Sequence, residues 1–338
     1  MKEFVSFTSI GQSNNLIQSV TETVRYIGRD ENNKPILDLK KPLPKLKFTG
    51  TVKLHGTNAG VLWNEIDGLW CQSRNKILTV EDDNMGFAKF VDSNKKVLET
   101  LIKMIPKKSD DTVCVYGEWC GGNIQANVAL QKLPRMFVVF SIQVVKGETR
   151  EWLTTDIIQL FESKENQIYN TMMFSNWQME IDMGNFKGVQ NQLIEMTEEV
   201  ERECPVGKYF GVSGVGEGIV WMTYDDPFAG SCFKVKGKKH SVSKVKVLAP
   251  IDHEKLESIK AFVDYAVTEN RLNQGIEYVF RMNNEEPTIQ KVGAFLKWVL
   301  GDIIKEEIES MKASGFTPKD VNSSLVAAIK EWFIQKYT

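Results

Sequence analysis

Thr51-Val-Lys-Leu-His-Gly-Thr-Asn-Ala-Gly60 carries an apolar run into a glycine turn, with Lys53 just ahead of that turn. From Phe48 to Trp63 apolar and polar residues roughly alternate around Gly56. That period reads as strand, turn, strand, with Lys53 at the end of the first strand. A lysine so placed can be held at the mouth of a pocket, where burial and neighbouring cations push an amine towards its neutral, nucleophilic form. Taken alone, the string reads more simply as a hairpin turn with a solvated lysine. The rest of the chain has to decide.

Working outward, Gly68–Asn75 reads as the next strand, ending at Arg74. Glu81-Asp-Asp-Asn84 caps a helix in which Phe87, Phe90, Val91, Leu98, Leu101, Ile102 and Ile105 fall at helical spacing, and Pro106 ends it. Thr112–Glu118 is a strand leading to Gly121-Gly122, and Met136–Val145 is a buried strand stopped by Lys146-Gly147. Residues 1 to 50 are mixed, with a turn at Asp30–Pro35 and an extended, strand-breaking segment at Lys40–Pro44. Residues 154 to 203 are polar and helix-prone, with no assignable element between Met172 and Lys187. Lys208–Ser213 and Glu217–Tyr224 read as two strands joined by Gly214-Val-Gly216, and Asp225-Asp-Pro-Phe228 as a turn. Phe233-Lys-Val-Lys236 is a short strand with both lysines on one face, because strand side chains alternate.

The character changes at Pro250. Stripes at Leu256, Ile259, Val263 and Val267, at Val292, Phe295, Leu296, Val299, Ile303 and Ile304, and at Leu325, Ile329, Trp332 and Phe333 are all helical. A domain boundary is expected near 248 to 252, dividing residues 1–249 from a helical unit at 250–338.

At 338 residues the chain is long enough for two domains. Its 42 basic and 44 acidic residues give a net charge of −2, so global charge predicts no nucleic-acid partner and local clustering must supply any such attraction. Cys71, Cys114, Cys120, Cys204 and Cys232 form no CxxC pair, which argues for a reducing compartment and against a disulfide framework or zinc site. His55, His240 and His253 are too few for a multi-histidine metal site. The first residues, Met1–Ser9, have no apolar signal core, and no run reaches membrane-spanning length. A cytoplasmic protein is expected, a monomer by default.

Lys53, His55, Arg74, Glu118, Glu217, Lys234 and Lys236 are charged residues at the edges of apolar strands. Each alone reads as a solvated strand end. So many such edges around one sheet read as a site. Residues 232 to 246 add lysines at 234, 236, 238, 239, 244 and 246 with no acidic residue, a local positive field suited to phosphates. The chemistry that fits is nucleotidyl transfer through a lysine: an amine attacks the α-phosphate of a nucleoside triphosphate, pyrophosphate leaves, and a phosphoramidate remains. Lys234, Lys236 and Mg²⁺ would stabilise the developing charge, and Glu217 and Glu118 are available to the metal. The 137–140 strand offers an aromatic face for the base.

These pieces together resemble the covalent nucleotidyltransferase superfamily of polynucleotide ligases and capping enzymes, and within it the RNA ligase 2 family. Lys53-Leu-His-Gly-Thr-Asn58 is similar to that family's Lys-x-His-Gly-x-Asn motif, where DNA ligases and capping enzymes usually have Asp in place of His55. Ser73-Arg74, Tyr116-Gly-Glu118 with Gly121-Gly-Asn-Ile-Gln125, Phe137-Val-Val-Phe140, Glu217-Gly-Ile-Val220 and Lys234-Val-Lys236 match its later motifs in order, and Val267–Asn273 resembles its C-terminal domain in the phage branch. The resemblance implies an α+β fold: a nucleotidyltransferase domain, ATP-grasp-like, with antiparallel sheets, followed by an all-helical C-terminal domain. It implies an ATP-dependent RNA ligase with ATP and Mg²⁺ or Mn²⁺, acting in RNA repair on RNA, a nicked duplex first. Lys53 would accept AMP, and His55 and Asn58 would serve AMP handling and sealing. Leu54 would belong to the nucleotide site, Glu118 would contact the ribose and Phe140 would stack on adenine. Arg74 would bind phosphate or the RNA end, Glu217 would help bind metal, and Lys234 and Lys236 would hold the triphosphate. Two positions depart from the family: Met222, where a lysine is frequent, and Ser141, where an acid is common. The alternatives are a DNA ligase or GTP-dependent capping guanylyltransferase, against which His55 and the helical tail argue, and a non-catalytic RNA-binding relative, which has no need of the nucleophile and its cations together.

Overall fold

A computed structural model describes residues 2–31, 33–237, 259–313 and 315–337. The expected boundary near 248 to 252, and with it His240, His253, Leu256 and Lys238, Lys239, Lys244 and Lys246 of the basic run, lie outside the described residues.

The chain opens with helix α1 (Ser13–Arg25), missed in the mixed first fifty residues, then the hairpin β1 (Tyr26–Arg29) and β2 (Pro35–Leu37) around the expected turn. Next come β3 (Lys45–Val52), β4 (Thr57–Asn64), β5 (Gly68–Ser73) and β6 (Ile77–Leu78). The helix expected after Asn84 is two, α2 (Phe87–Ser93) and α3 (Lys95–Lys103), broken at Asn94, whose side chain bonds back to the Phe90 carbonyl. Asp83 accepts from the amides of Ala88 and Lys89 at its start. Strands β7 (Thr112–Cys120), β8 (Met136–Lys146) and β9 (Thr149–Trp152) follow, then α4 (Thr155–Gln159), β10 (Ile168–Asn170), β11 (Asn176–Asp182) and α5 (Gln190–Arg202). The polar stretch from 154 is therefore part helix and part strand. β11 is a half-buried edge strand, with Met179 and Ile181 inward and Gln178 and Glu180 exposed.

Residues 208 to 213, expected as a strand, instead begin inside helix α6 (Pro205–Tyr209) and run on without regular structure. Pro205 opens that helix at its first position, and a short apolar run cannot be told from a helical turn by periodicity. β12 (Gly218–Thr223) and β13 (Cys232–Lys236) complete this part.

The strands form two large sheets where the sequence suggested one. β11-β3-β12-β13 is a four-stranded antiparallel sheet. β10-β8-β7-β4-β5-β6, with β9 on β8, is a seven-stranded sheet, antiparallel except where β10 pairs with β8. The strand–turn–strand at Lys53 is thus no hairpin: β3 belongs to the first sheet and β4 to the second. One apolar core lies between the four-stranded sheet and the helices α1 and α5, and includes Phe48, Val200 and Phe233. A second packs α2 and α3 on the other sheet through Phe87, Leu98 and Ile102.

Helices α7 (Ile259–Ala266), α8 (Glu269–Val279), α9 (Val292–Ala313) and α10 (Pro318–Tyr337) pack a third core on Phe262, Phe295, Ile303 and Phe333. The fold is mixed α and β, with antiparallel sheets and C-terminal helices. All five cysteines are buried free thiols. No described helix is long and apolar enough to cross a membrane.

Candidate active site

The crossing between the sheets holds the lysine. At the end of β3 the Lys53 amide still donates to the Gly218 carbonyl at 2.8 Å, and the chain then leaves for β4. Gly56 is needed in that crossing. A Cβ there would sit 2.4 Å from the Trp119 carbonyl oxygen, and the Gly56 amide donates to Glu118 Oε1 at 2.9 Å. Position 218 is equally restricted, since at φ +149° a Cβ would meet the Val235 carbonyl oxygen at 2.1 Å. The preceding Glu217 is thereby set directly beside β13.

Glu217 organises the charges. Its Oε2 accepts from Lys53 Nζ at 2.7 Å and lies 2.9 Å from His55 Nδ1, and its Oε1 is 3.1 Å from Lys236 Nζ. The carboxylate is 2% exposed. Burial alone would raise its pKa, but Lys53, Lys236 and His55 outweigh burial and hold it well below the usual carboxylate range. For Lys236 burial works downward and Glu217 and Glu306 prevail, so its pKa is raised. Lys234 differs: burial lowers it to about 8, with Lys236 and Lys53 pushing the same way, although Glu306 accepts from its Nζ at 2.6 Å. Both lysines lie on one face of β13, as the alternation predicts, while Phe233 and Val235 enter the core.

The seven-stranded sheet supplies the opposite wall. Thr51, Val52, Lys53, Leu54, Glu118 and Phe140 line one cavity with Phe7, Ile10, Met172 and Met222. Phe140 is the extra residue of a β-bulge: Tyr116 pairs with Ser141 and Gly117 with Val139, which leaves position 140 unpaired. Bulges re-aim side chains, and this ring joins the cavity, edge-on to Phe7 at 5.0 Å. Asn58 sits opposite Glu118 on β4, and Arg74 is exposed one residue past β5.

Glu118 titrates in an unusual range. Burial raises its carboxyl to about 7, Glu217 adds to that, and Lys53, the Gly56 amide and Arg74 oppose it. An acid whose pKa rises on folding costs no stability below its ordinary 4.5, an increasing amount up to 7, and the full amount above. Glu118→Gln, which keeps the oxygen facing Gly56, should therefore gain stability over the native chain between about pH 5 and about pH 8, by roughly 2 kcal/mol. Paired thermal melts across that range measure it, and a gap that does not grow with pH contradicts the assignment.

The sequence pattern of the family described as RNA ligase matches residues 46–236. The chain belongs to the RNA ligase family. The match runs from β3 to the last residue of β13 and so encloses every site residue expected from the sequence, while the helices α7 to α10 lie beyond it. Among solved structures, Naegleria gruberi RNA ligase with pyrophosphate is similar at 17% identity and a TM-score of 0.45, over 70% of this chain and 57% of that one. Mutant forms of the same enzyme with ATP and Mn, at 18% and 0.44, and with AMP and Mn, at 18% and 0.45, match over the same shares. This chain spans 57% of the length of those chains. No curated protein matches it by sequence.

Two departures from the family's pattern meet each other. Ser141 of β8 and Met222 of β12 stand on different sheets, and the Ser141 hydroxyl lies 3.9 Å from the Met222 sulfur. Both are buried. Neither side chain carries a charge, so this contact buries none.

Sequence reading missed Phe7, Lys305 and Glu306. Lys305 feels the charge of Arg74, and burial lowers its pKa. The helix α9 thus reaches the candidate triphosphate lysines through Glu306, a residue that in sequence reads as part of a solvated helix face.

Glu217 already meets Lys53, Lys236 and His55, and among the described residues no three His, Cys, Asp or Glu side chains group as metal ligands. Protein donors alone do not build a metal centre here; Mg²⁺ or Mn²⁺ would need phosphate oxygens and water to complete its shell. Glu217→Gln should lower covalent labelling by ATP by roughly 10²-fold, because the carboxylate that orients Lys53, Lys236 and His55 is lost. Stability should fall by about 2 kcal/mol, less than for a wholly dry pair because the partners are partly exposed. A covalent-labelling assay with parallel melts reads both, and unchanged labelling contradicts the orienting role.

Proposed function

We propose that this chain is an ATP-dependent RNA ligase that joins 3′-hydroxyl and 5′-phosphate RNA ends through a lysine–AMP intermediate. The observation that carries the reading is Lys53 at the mouth of an apolar cavity, with Lys234, Lys236 and Glu217 beside it. Membership of the RNA ligase family supports it.

In the first step the Lys53 amine leaves Glu217 and attacks the α-phosphorus of ATP. A P–N bond forms, the bond to the β-phosphate oxygen breaks, and pyrophosphate departs while the amine gives up its proton to water. Glu217, held well below its usual range, is a poor proton acceptor and acts by orienting the amine. Lys234 and Lys236 hold the triphosphate and Phe140 stacks on adenine. Glu118 meets the ribose, with Leu54 and Asn58 completing the nucleotide site. A divalent cation, Mg²⁺ or Mn²⁺, would neutralise charge on the phosphates. In the second step an RNA 5′-phosphate oxygen displaces Lys53 and the P–N bond breaks, giving a 5′–5′ adenylylated end held near Arg74 and His55. In the third a 3′-hydroxyl attacks that end, a phosphodiester forms and AMP leaves. Positioning dominates this last step. The proposal includes the division into an adenylyltransferase unit at 1–249 and a helical unit at 250–338, with the Lys234–Glu306 pair joining them. It also includes a nicked duplex as preferred RNA, read by shape, phosphates and 2′-hydroxyls.

The test incubates the protein with α-labelled ATP or GTP and Mg²⁺, then offers nicked duplex RNA, RNA–DNA hybrids, DNA nicks and single strands. Acid-labile label from ATP, followed by sealing of RNA, is expected. RNA binding without any label would favour a non-catalytic relative, and label from GTP or preference for DNA nicks would favour the other enzymes.

A further inference from the structure

The cavity at Lys53 has a polar group left over. Among the described residues three buried side chains keep a polar atom without a hydrogen-bond partner: Gln143, Thr171 and Trp221. Of these, Thr171 lines the cavity. It is 2% exposed.

Its position follows from register. β10 runs parallel to β8 with Asn170 level with Val139, so Thr171, the next residue, comes level with the bulged Phe140. The local backbone does not use its hydroxyl. Thr171–Met173 is a single tight turn, and the side chain that caps it is Asn170, which accepts from the Met172 amide at 3.1 Å. A second threonine of the cavity, Thr49, bonds Gln178 at 3.1 Å. An unpaired buried hydroxyl is a cost to the folded chain unless something else meets it.

A purine entering this cavity brings the matching need. Phe140 offers an apolar surface to its face, and Phe7, Met172 and Met222 further apolar wall. The edge of the base carries polar groups that such walls cannot satisfy. We propose that Thr171 is a specificity-determining residue whose hydroxyl accepts a hydrogen bond from the exocyclic 6-amino group of adenine. This deepens the proposed function and rests on ATP being the nucleotide of this cavity. The orphan hydroxyl is then a feature of the empty site that the base completes.

The test is a cycle of one substitution and one ligand change, read as equilibrium binding by calorimetry. Thr171→Val keeps the shape and removes the hydroxyl. Its dissociation constant for ATP should rise roughly tenfold, the size of one hydrogen bond. Purine riboside 5′-triphosphate lacks the 6-amino group, and for it the native chain and the variant should agree within about twofold. Thr171→Ser should bind ATP nearly as the native chain does. Without nucleotide, Thr171→Val should melt at or above the native temperature, so stability and affinity move in opposite directions. An equal loss on both nucleotides, or no loss on ATP, overturns the assignment. Binding without covalent labelling would instead refute the ligase reading and leave the Thr171 cycle interpretable.

Discussion

Alanine at position 53 is expected to abolish transfer of AMP to the protein, a loss of roughly 10⁴-fold or more, as for removal of a covalent nucleophile. The fold should survive, because Glu217 keeps Lys236 at 3.1 Å and His55 at 2.9 Å, so the buried carboxylate is not stranded. The informative comparison uses RNA supplied with a pre-adenylylated 5′ end. That substrate bypasses Lys53, and the variant should still seal it. Label retained on Lys53→Ala would move the nucleophile elsewhere and sink the mechanism; a variant that neither labels nor melts like the native chain would assign Lys53 to the fold.

The second large effect is on stability, at Arg271. This side chain is fully buried in the helical region. Its Nε donates to Asp302 at 2.8 Å, its Nη2 to Glu307 at 3.0 Å and its Nη1 to the Ala266 carbonyl at 2.5 Å. It therefore ties the end of α7 to α8 and α9. Glu307 is equally buried and also accepts from the Tyr265 hydroxyl at 2.9 Å. Burial would lower the pKa of the guanidinium, yet Asp302 and Glu307 prevail and raise it. Arg271→Ala would leave a dry carboxylate at Glu307 without its cation, at a cost of about 3–5 kcal/mol. Lysine should not restore the loss, because a single ammonium cannot reach two carboxylates and a carbonyl in the arginine fork. Melts and hydrogen exchange should show the helices opening first, with the sheets still protected. A variant within about 0.5 kcal/mol of native stability would show that Arg271 adds nothing net, as some buried ion pairs do.

Several pieces of the site were legible because their signal is local. Lys234 and Lys236 share a face by strand alternation, and the two sides of Gly56 read as strands from period alone. Other parts were not. Phe140 faces the cavity through a bulge that exists only in the pairing of β7 with β8. β11 does show strand period, Trp177, Met179 and Ile181 alternating with Gln178, Glu180 and Asp182, and was missed because its seven residues lie inside a long polar, helix-prone stretch. Lys208 was placed on a strand because a short apolar run looks the same in either conformation. Glu306 and Thr171 carry no pattern at all, since a solvated helix face and a loop threonine look alike in any chain.

What the sequence by itself determined was the order of the chemical pieces: a lysine before a glycine turn, an arginine, two glutamates and a Lys-x-Lys strand, together with the helical stripes at Val292–Ile304 and Leu325–Phe333. What only the tertiary structure decided was that Lys53 stands in a crossing between two sheets, not in a hairpin. Strand period is set by neighbours one and two residues away, whereas sheet membership is set by hydrogen bonds to strands far off in the chain. β3 finds β11 and β12, β4 finds β7, and the lysine between them is held where the two sheets face each other.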